Sequence, residues 1–323
     1  MNFDAYKEVA RSILASEAGA RLVRLDCMNP VKALAGMRPS FATSTAPVSA
    51  RDLEGAWRRR WRLTAADGTI RLATGVRPLL AGLFASFARE GRRLVAPEDV
   101  YPVYLELAGQ AGVTLTTFPT VPQPSLPEVG GVRGPEALLL PEPLVPLGRG
   151  LNDAEAMHIQ SWLDEDRARL VILDCVYTFG ERFTSAAEAL LAGGQTVVLH
   201  SLSKGFLSPD VAGFAIGPAA VLGELTHDIG DEARATAVQV LEDASDLPQR
   251  LAAEFSRRWS ALNHTTALHV AATGYFSVVP VPFDELLARG QLAVPGSVFG
   301  SRSRDWSAVT CLLGDVSARA ATS

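Results

Sequence analysis

Short apolar runs recur through the middle of the chain, each closed by a polar or glycine-containing break. Ile70 to Ala73, Arg93 to Ala96, Val113 to Phe118, Ala137 to Leu140, Arg169 to Leu173, Val197 to Leu199 and Gly213 to Ile216 read as buried strands. Between them stand stretches of helical character: Leu79 to Glu90, the segment after Pro102 to about Gln110, Ala154 to Asp166, and Ala186 to Ala192. Pro78, near the first helical position, supports the first of these starts. Strands alternating with helices predict an α/β fold with a mainly parallel sheet sandwiched by helices. In such sheets ligands bind beyond the carboxyl ends of the strands.

The flanks have a different pattern. Residues 3 to 18 read as a helix, Leu22 to Leu25 as a strand, and Pro39 to Ser49 as an irregular connection. Asp52 to Trp61 reads as a helix ending in WRRRW, with Trp57 and Trp61 packed inward and the arginines at its dipole-negative end. After Gly217 a helical region runs from Ala219 to about Leu262, with Gly230 and Pro248 as breaks. A strand (Tyr275 to Val281), a helix (Phe283 to Arg289) and a final strand (Ala308 to Leu313) follow. These ends predict a small α+β domain of residues 1–49 and 236–323 beside a large domain of residues 50–235.

Composition narrows the class. A net charge of −5 and a pI near 5.6 argue against a nucleic-acid partner held by bulk positive charge. Cys27, Cys175 and Cys311 are scattered and show no metal spacing, and the histidines form no ligand pattern, which fits a reducing cytoplasm. The N-terminus is charged and amphipathic, unlike a signal peptide. No run approaches the roughly 20 apolar residues that span a bilayer. A cytoplasmic protein with no membrane partner is expected.

The strongest candidate for chemistry is Lys204, which follows a buried strand and is flanked by Ser201 and Ser203. A desolvated lysine can lose its proton near neutral pH and form a Schiff base with a carbonyl compound. The plainer reading is a strand-end lysine reaching solvent. Two more strand ends change the balance: Asp174, followed by Cys175, Val176 and Tyr177, and the turn at Gly75, Val76 and Arg77 that opens a helix. Lysine, carboxylate, phenol and a helix start are the groups that pyridoxal phosphate requires. The plainer readings are a helix cap for Asp174 and a core aromatic for Tyr101. His200 reads as a strand histidine with its hydrogen bonds satisfied, and Cys175 as a small buried filler.

SLSKGF with VAGFAIGP, LDCVYTF, APEDVYPVY and LAVPGSVFG occur in an order and spacing that resembles the class I/II aminotransferases, fold type I enzymes dependent on pyridoxal phosphate. The resemblance covers about Asp26 to Leu313. It implies that Lys204 is the catalytic residue, forming an aldimine with the cofactor and shuttling a proton through a quinonoid intermediate. It implies that Asp174 pairs with the pyridinium, that Tyr177 bonds the ring oxygen and that Tyr101 stacks on the ring. Ser201, Ser203 and the Gly75, Val76 and Arg77 turn would hold the phosphate. A homodimer is also implied, because the family's active sites lie at the subunit interface.

The departures from the family pattern bear on function. Val145 stands where the family has the asparagine of its NPxNPTG segment, and Ala212 where an arginine binds phosphate. Thr310 or a neighbour replaces the C-terminal arginine that pairs with the substrate carboxylate, and no tyrosine occurs in the 40–50 region. Arg77 is the candidate compensator for phosphate, and Arg149, Arg182, Arg302 or Arg304 for the carboxylate. The resemblance therefore implies an aminotransferase-like enzyme for an unusual amine or amino-acid substrate. Two alternatives stand beside it: decarboxylation, elimination or C–C bond formation with the same cofactor, and a non-catalytic member with a binding or assembly role.

Overall fold

The structure is a computed structural model that describes residues 2–40, 47–100, 102–130, 134–209, 211–223, 225, 229–270 and 272–312. The chain enters through helix α1 (Phe3–Leu14), strand β1 (Val23–Arg24) and the short helix α2 (Pro30–Ala33). Asn2 and Asn29 cap the two helices, each side-chain oxygen accepting from a first-turn N–H. Helix α3 (Ala50–Trp61) starts from a reciprocal capping box between Ser49 and Asp52. Next come β2 (Thr69–Ala73), α4 (Val76–Glu90), β3 (Arg93–Pro97), α5 (Val103–Ala111), β4 (Leu115–Phe118) and β5 (Glu136–Pro141). They are followed by α6 (Asp153–Asp164), β6 (Leu170–Asp174), α7 (Ser185–Ala192), β7 (Thr196–Ser201), α8 (Leu202–Gly205) and β8 (Gly213–Gly217). The last part holds α9 (Ala219–Leu222), α10 (Asp231–Asp243), α11 (Leu247–Thr266), β9 (Phe276–Val279) and α12 (Phe283–Ala288). It ends with β10 (Gln291–Leu292), β11 (Val294–Pro295) and β12 (Ser307–Thr310).

Strands β2 to β8 form one sheet in the order β2-β8-β7-β6-β5-β3-β4. The pairings from β7 across to β4 are parallel, and β8 alone runs against its neighbours β2 and β7. Chain length explains the reversal. Only residues 202–212 join β7 to β8, too few for the crossover that a parallel neighbour needs. Because β2 and β7 both oppose β8, they point the same way, and the ends of β2, β7 and β6 meet at one edge.

Alternation along each strand divides the sheet's two faces. Leu139, Ile172, Val197 and Leu199 pack with α4, α5 and α11 through Leu83, Phe84, Phe87, Ala108, Phe255 and Trp259. Leu138, Leu140, Val171, Leu173 and Val198 pack on the opposite face with α3, α6, α7 and α10. Trp57 and Trp61 lie in this second layer, fully buried as their spacing predicts. The intervening arginines are engaged within the chain: Arg58 pairs with Glu54, Arg59 with Glu242, and Arg60 donates to the carbonyls of Gly180 and Glu181.

A three-stranded antiparallel sheet (β11-β12-β9) and a two-stranded parallel pair (β1-β10) lie outside the main sheet. Tyr6 and Ala10 of α1 pack there with Leu292, Val294, Phe299 and Trp306. One expectation is corrected: the first helix ends at Leu14 rather than residue 18. The helical region after Ala219 is divided near both expected breaks, with Gly230 preceding α10 and Pro248 in the first turn of α11, where its missing N–H costs no helical bond.

Gly213 sits where β8 begins, paired with Ala73 on one side and Ser201 on the other. A Cβ there would stand 2.8 Å from the carbonyl carbon of Gly75 and 3.0 Å from the carbonyl oxygen of His200. All of these are backbone atoms that cannot rotate away. Gly213→Ala is therefore expected to destabilise the protein by about 1–3 kcal/mol, read as a lower denaturation midpoint.

Candidate active site

The sheet edge described above opens into a cavity of about 1340 Å³. Its wall includes Gly75, Val76, Arg77, Asp174, Tyr177, Ser201, Ser203 and Lys204, so these residues, far apart in sequence, are brought together. Tyr101 lies outside the described residues. Ser201 ends β7 and caps α8, its Oγ accepting from the Ser203 N–H and sharing a 2.7 Å hydrogen bond with Ser203 Oγ. Lys204 is half-buried in the same short helix. Across the edge, Gly75 precedes α4 without any side-chain cap, which leaves the first N–H groups of a 15-residue helix without a side-chain acceptor. Arg77 is exposed at the cavity.

Asp174 ends β6 and is buried. The Val176 N–H donates to its Oδ1 at 3.2 Å, and the Tyr104 hydroxyl donates to its Oδ2 at 2.7 Å. Burial pushes the carboxyl up to about 6, against the lowering effect of those two donors. Tyr104, which also lines the cavity, is the functional candidate that sequence reasoning missed. The sequence carried only a faint signal: Tyr104 stands three residues after Tyr101 in the same APEDVYPVY segment, while its partner Asp174 lies 70 positions further on. Tyr177 contributes its ring to an aromatic wall, edge-on to Phe276 at 5.1 Å and beside Tyr275 at 6.0 Å.

The sequence departures are visible in the wall. Val145 lines the cavity in the turn from Glu142 to Gly148, with an apolar side chain that offers no hydrogen-bond donor. That turn is fixed from behind by the buried Glu142 carboxylate, which accepts from the Leu151 N–H at 3.0 Å and the Thr184 hydroxyl at 2.9 Å. Ala212 is buried and lines the cavity. Thr310 is buried, its hydroxyl has no hydrogen-bond partner among the described residues, and it does not reach the wall. None of the four arginines proposed to replace it reaches the wall either. Arg149 is bound to Glu155, Arg182 to Glu188, and Arg302 and Arg304 are exposed elsewhere. The arginines that do line the cavity are Arg11, Arg24 and Arg77.

His200 points to the other face of β7 from Ser201. It is enclosed by Trp61 at 4.5 Å, Trp57 at 5.7 Å, Phe214 at 6.1 Å and Phe183 at 6.2 Å. It is buried as a strand histidine, but neither ring nitrogen has a hydrogen-bond partner among the described residues, because aromatic carbon surrounds it. Burial, with Arg60 nearby, drives its pKa down to about 3, so the ring stays neutral.

Two outcomes follow. Tyr104→Phe removes a donor that favours the ionised form, so the Asp174 carboxyl should titrate above its present value of about 6, seen in a carbon-13 NMR titration of labelled aspartate. Glu142 is pushed up to about 7, first by burial, against an unfolded value near 4.5. The folded state therefore holds this proton more tightly, and stability is lost as pH rises from about 4.5 through about 7. Denaturation curves at pH 5 and pH 8 should show Glu142→Gln cancelling about 1–3 kcal/mol of that loss.

No family model matches the sequence, and no curated protein matches it. Solved structures do match its fold. The aspartate aminotransferase from Rhizobium meliloti superposes with a TM-score of 0.72 at 16% identity, covering 98% of this chain and 93% of that one. YbdL from Escherichia coli, described with a methionine aminotransferase function, gives 0.73 at 16% identity over 94% and 92% of the two chains. Substrate-bound BacF from Bacillus subtilis gives 0.69 at 20% identity over 99% and 93%. The mainly parallel sheet between helical layers, with its smaller α+β part, is thus the fold type I architecture that this chain shares with these proteins.

Proposed function

We propose that the chain is a pyridoxal-phosphate-dependent enzyme of aminotransferase type, acting on an unusual amine or amino-acid substrate as a homodimer. The large unit of residues 50–235 would bind the cofactor, and residues 1–49 and 236–323 would form the smaller unit. One observation carries this reading: Lys204, Asp174, the two serines and an uncapped helix start share a single cavity.

The residues fit the cofactor's chemistry. Asp174 is a buried carboxylate with a raised pKa, and a cationic ring N–H would relieve its desolvation. The first N–H groups of α4 and the hydroxyls of Ser201 and Ser203 would take the phosphate, with Arg77 supplying positive charge where Ala212 supplies none. Tyr177 would donate to the ring oxygen, and Tyr101 is kept as the stacking residue. When bound, pyridoxal phosphate supplies an electron sink that lowers the cost of a carbanion at the substrate α-carbon.

The chain's own residues would do the rest. Lys204 Nζ would be the point of covalent attachment for the cofactor, and its free amine would hold and move the proton at the substrate Cα. Asp174 would keep a proton on the ring nitrogen, with the Tyr104 hydroxyl holding the Asp174 carboxylate in one orientation. Val176 and Val145 contribute apolar wall, which limits water near the reacting carbon.

Added pyridoxal phosphate should give a yellow absorbance band, and borohydride reduction should leave a mass increment on the peptide holding Lys204. Lys204→Ala should abolish both; an unchanged spectrum in that variant defeats the proposal. Transamination predicts that the cofactor is recovered in its amine form after incubation with an amino donor. Recovery of a decarboxylated product with the cofactor unchanged would favour the alternative reaction.

A further inference from the structure

The cavity holds a second built feature, away from the sheet edge. Leu25 is gripped on both sides: its N–H donates to Leu292 O at 2.8 Å, and its carbonyl accepts from the Thr310 N–H at 2.8 Å. Leu25 is buried, so alternation sends its neighbours Arg24 and Asp26 to the opposite face, and both line the cavity. Their side chains form a fork. Arg24 Nε donates to Asp26 Oδ1 at 2.6 Å and Nη2 to Oδ2 at 3.1 Å. The Asp26 side chain is 6% exposed and that of Arg24 is 36% exposed.

A guanidinium has two edges that each match a carboxylate. Asp26 occupies the Nε–Nη2 edge and fixes the plane, and Nη1 has no acceptor among the described residues. Around it the wall is aromatic. Phe3 packs edge-on to Phe299 at 5.5 Å, and Tyr6 is fixed by a 2.8 Å hydrogen bond from its hydroxyl to Ala293 O. Cations outnumber anions among the described wall residues.

We propose that Arg24, oriented by Asp26, is the carboxylate-binding residue of this cavity, and that the substrate joins a carboxylate to a bulky apolar or aromatic body. The inference rests on the cavity being the substrate site of the enzyme proposed above. Arg24 would replace, from β1, a guanidinium that the adjacent strand β12 does not provide at Thr310.

The test uses 3-phenylpropionate and its neutral amide, 3-phenylpropanamide, titrated calorimetrically into the purified protein. The carboxylate should bind about tenfold to a hundredfold more tightly than the amide. Because removing Arg24 alone strands a buried carboxylate, the pair is replaced together as Arg24→Gln with Asp26→Asn, and this variant should lose the preference. Arg24→Lys should keep only part of it, and Arg77→Ala should keep it. No preference in the wild-type protein, its survival in the double variant, or its loss in Arg77→Ala instead would each overturn the assignment. The readout needs no cofactor chemistry, so a failure here is distinct from a failure of the Lys204 spectrum.

Discussion

The close backbone contact between Gly213 and the turn at Gly75 is the constraint on which the site depends. Strand β8 is inserted against the direction of its neighbours, and its first residue touches Ala73 and Ser201 at once. That single position ties the start of α4 to the end of β7. With any side chain at Gly213, the turn would have to lift, and the uncapped helix start would move from the serines. The sheet register then does the remaining positioning. Asp174 pairs with Leu199, two residues before Ser201, so the carboxylate stands one strand over from the lysine segment.

Electrostatics in the cavity are set by burial more than by ion pairing. Asp174 has two hydrogen-bond donors and still has a raised pKa, which marks desolvation as the larger effect. In the proposed reading this is useful, because a carboxylate held in an apolar site favours a proton on a ring nitrogen that faces it. His200 shows the same physics with the opposite sign. Burial depresses it until it is a neutral core ring, set apart from the cavity on the other face of β7.

Much of the fold was legible because the chain repeats two unambiguous periods. Runs such as VILD and the amphipathic stretch of α4 give strand and helix by pattern, and their alternation gives a parallel sheet. What pattern could not give was orientation between elements. The reversal of β8 depends on the short link from Ser201. In the site, Lys204 and Asp174 were legible because each ends an apolar run. Tyr104 was not, since it lies inside a helix and its role appears only when α5 is laid beside β6. Arg24 was hidden for a different reason: Leu22 to Leu25 reads as a strand, but the fork with Asp26 and the grip on Leu25 from Leu292 and Thr310 exist only in the folded chain.

The departures from the family pattern form one consistent set once they are placed in the cavity. Val145 and Ala212 remove donors from the part nearest the sheet, while Thr310 supplies no guanidinium and lies off the wall. In exchange, the near part has an uncapped 15-residue helix start with Arg77 on its first turn. The far wall has a guanidinium whose plane is fixed by a buried carboxylate. A helix start and one exposed arginine hold an anion less firmly than several buried charged donors, since exposed charges are screened. The fork of Arg24 and Asp26 is the reverse case, a partly buried pair in which geometry, more than net charge, selects what binds. In the proposed reading, these features favour a protein that would be more selective toward a carboxylate substrate than tenacious toward the phosphate of a cofactor.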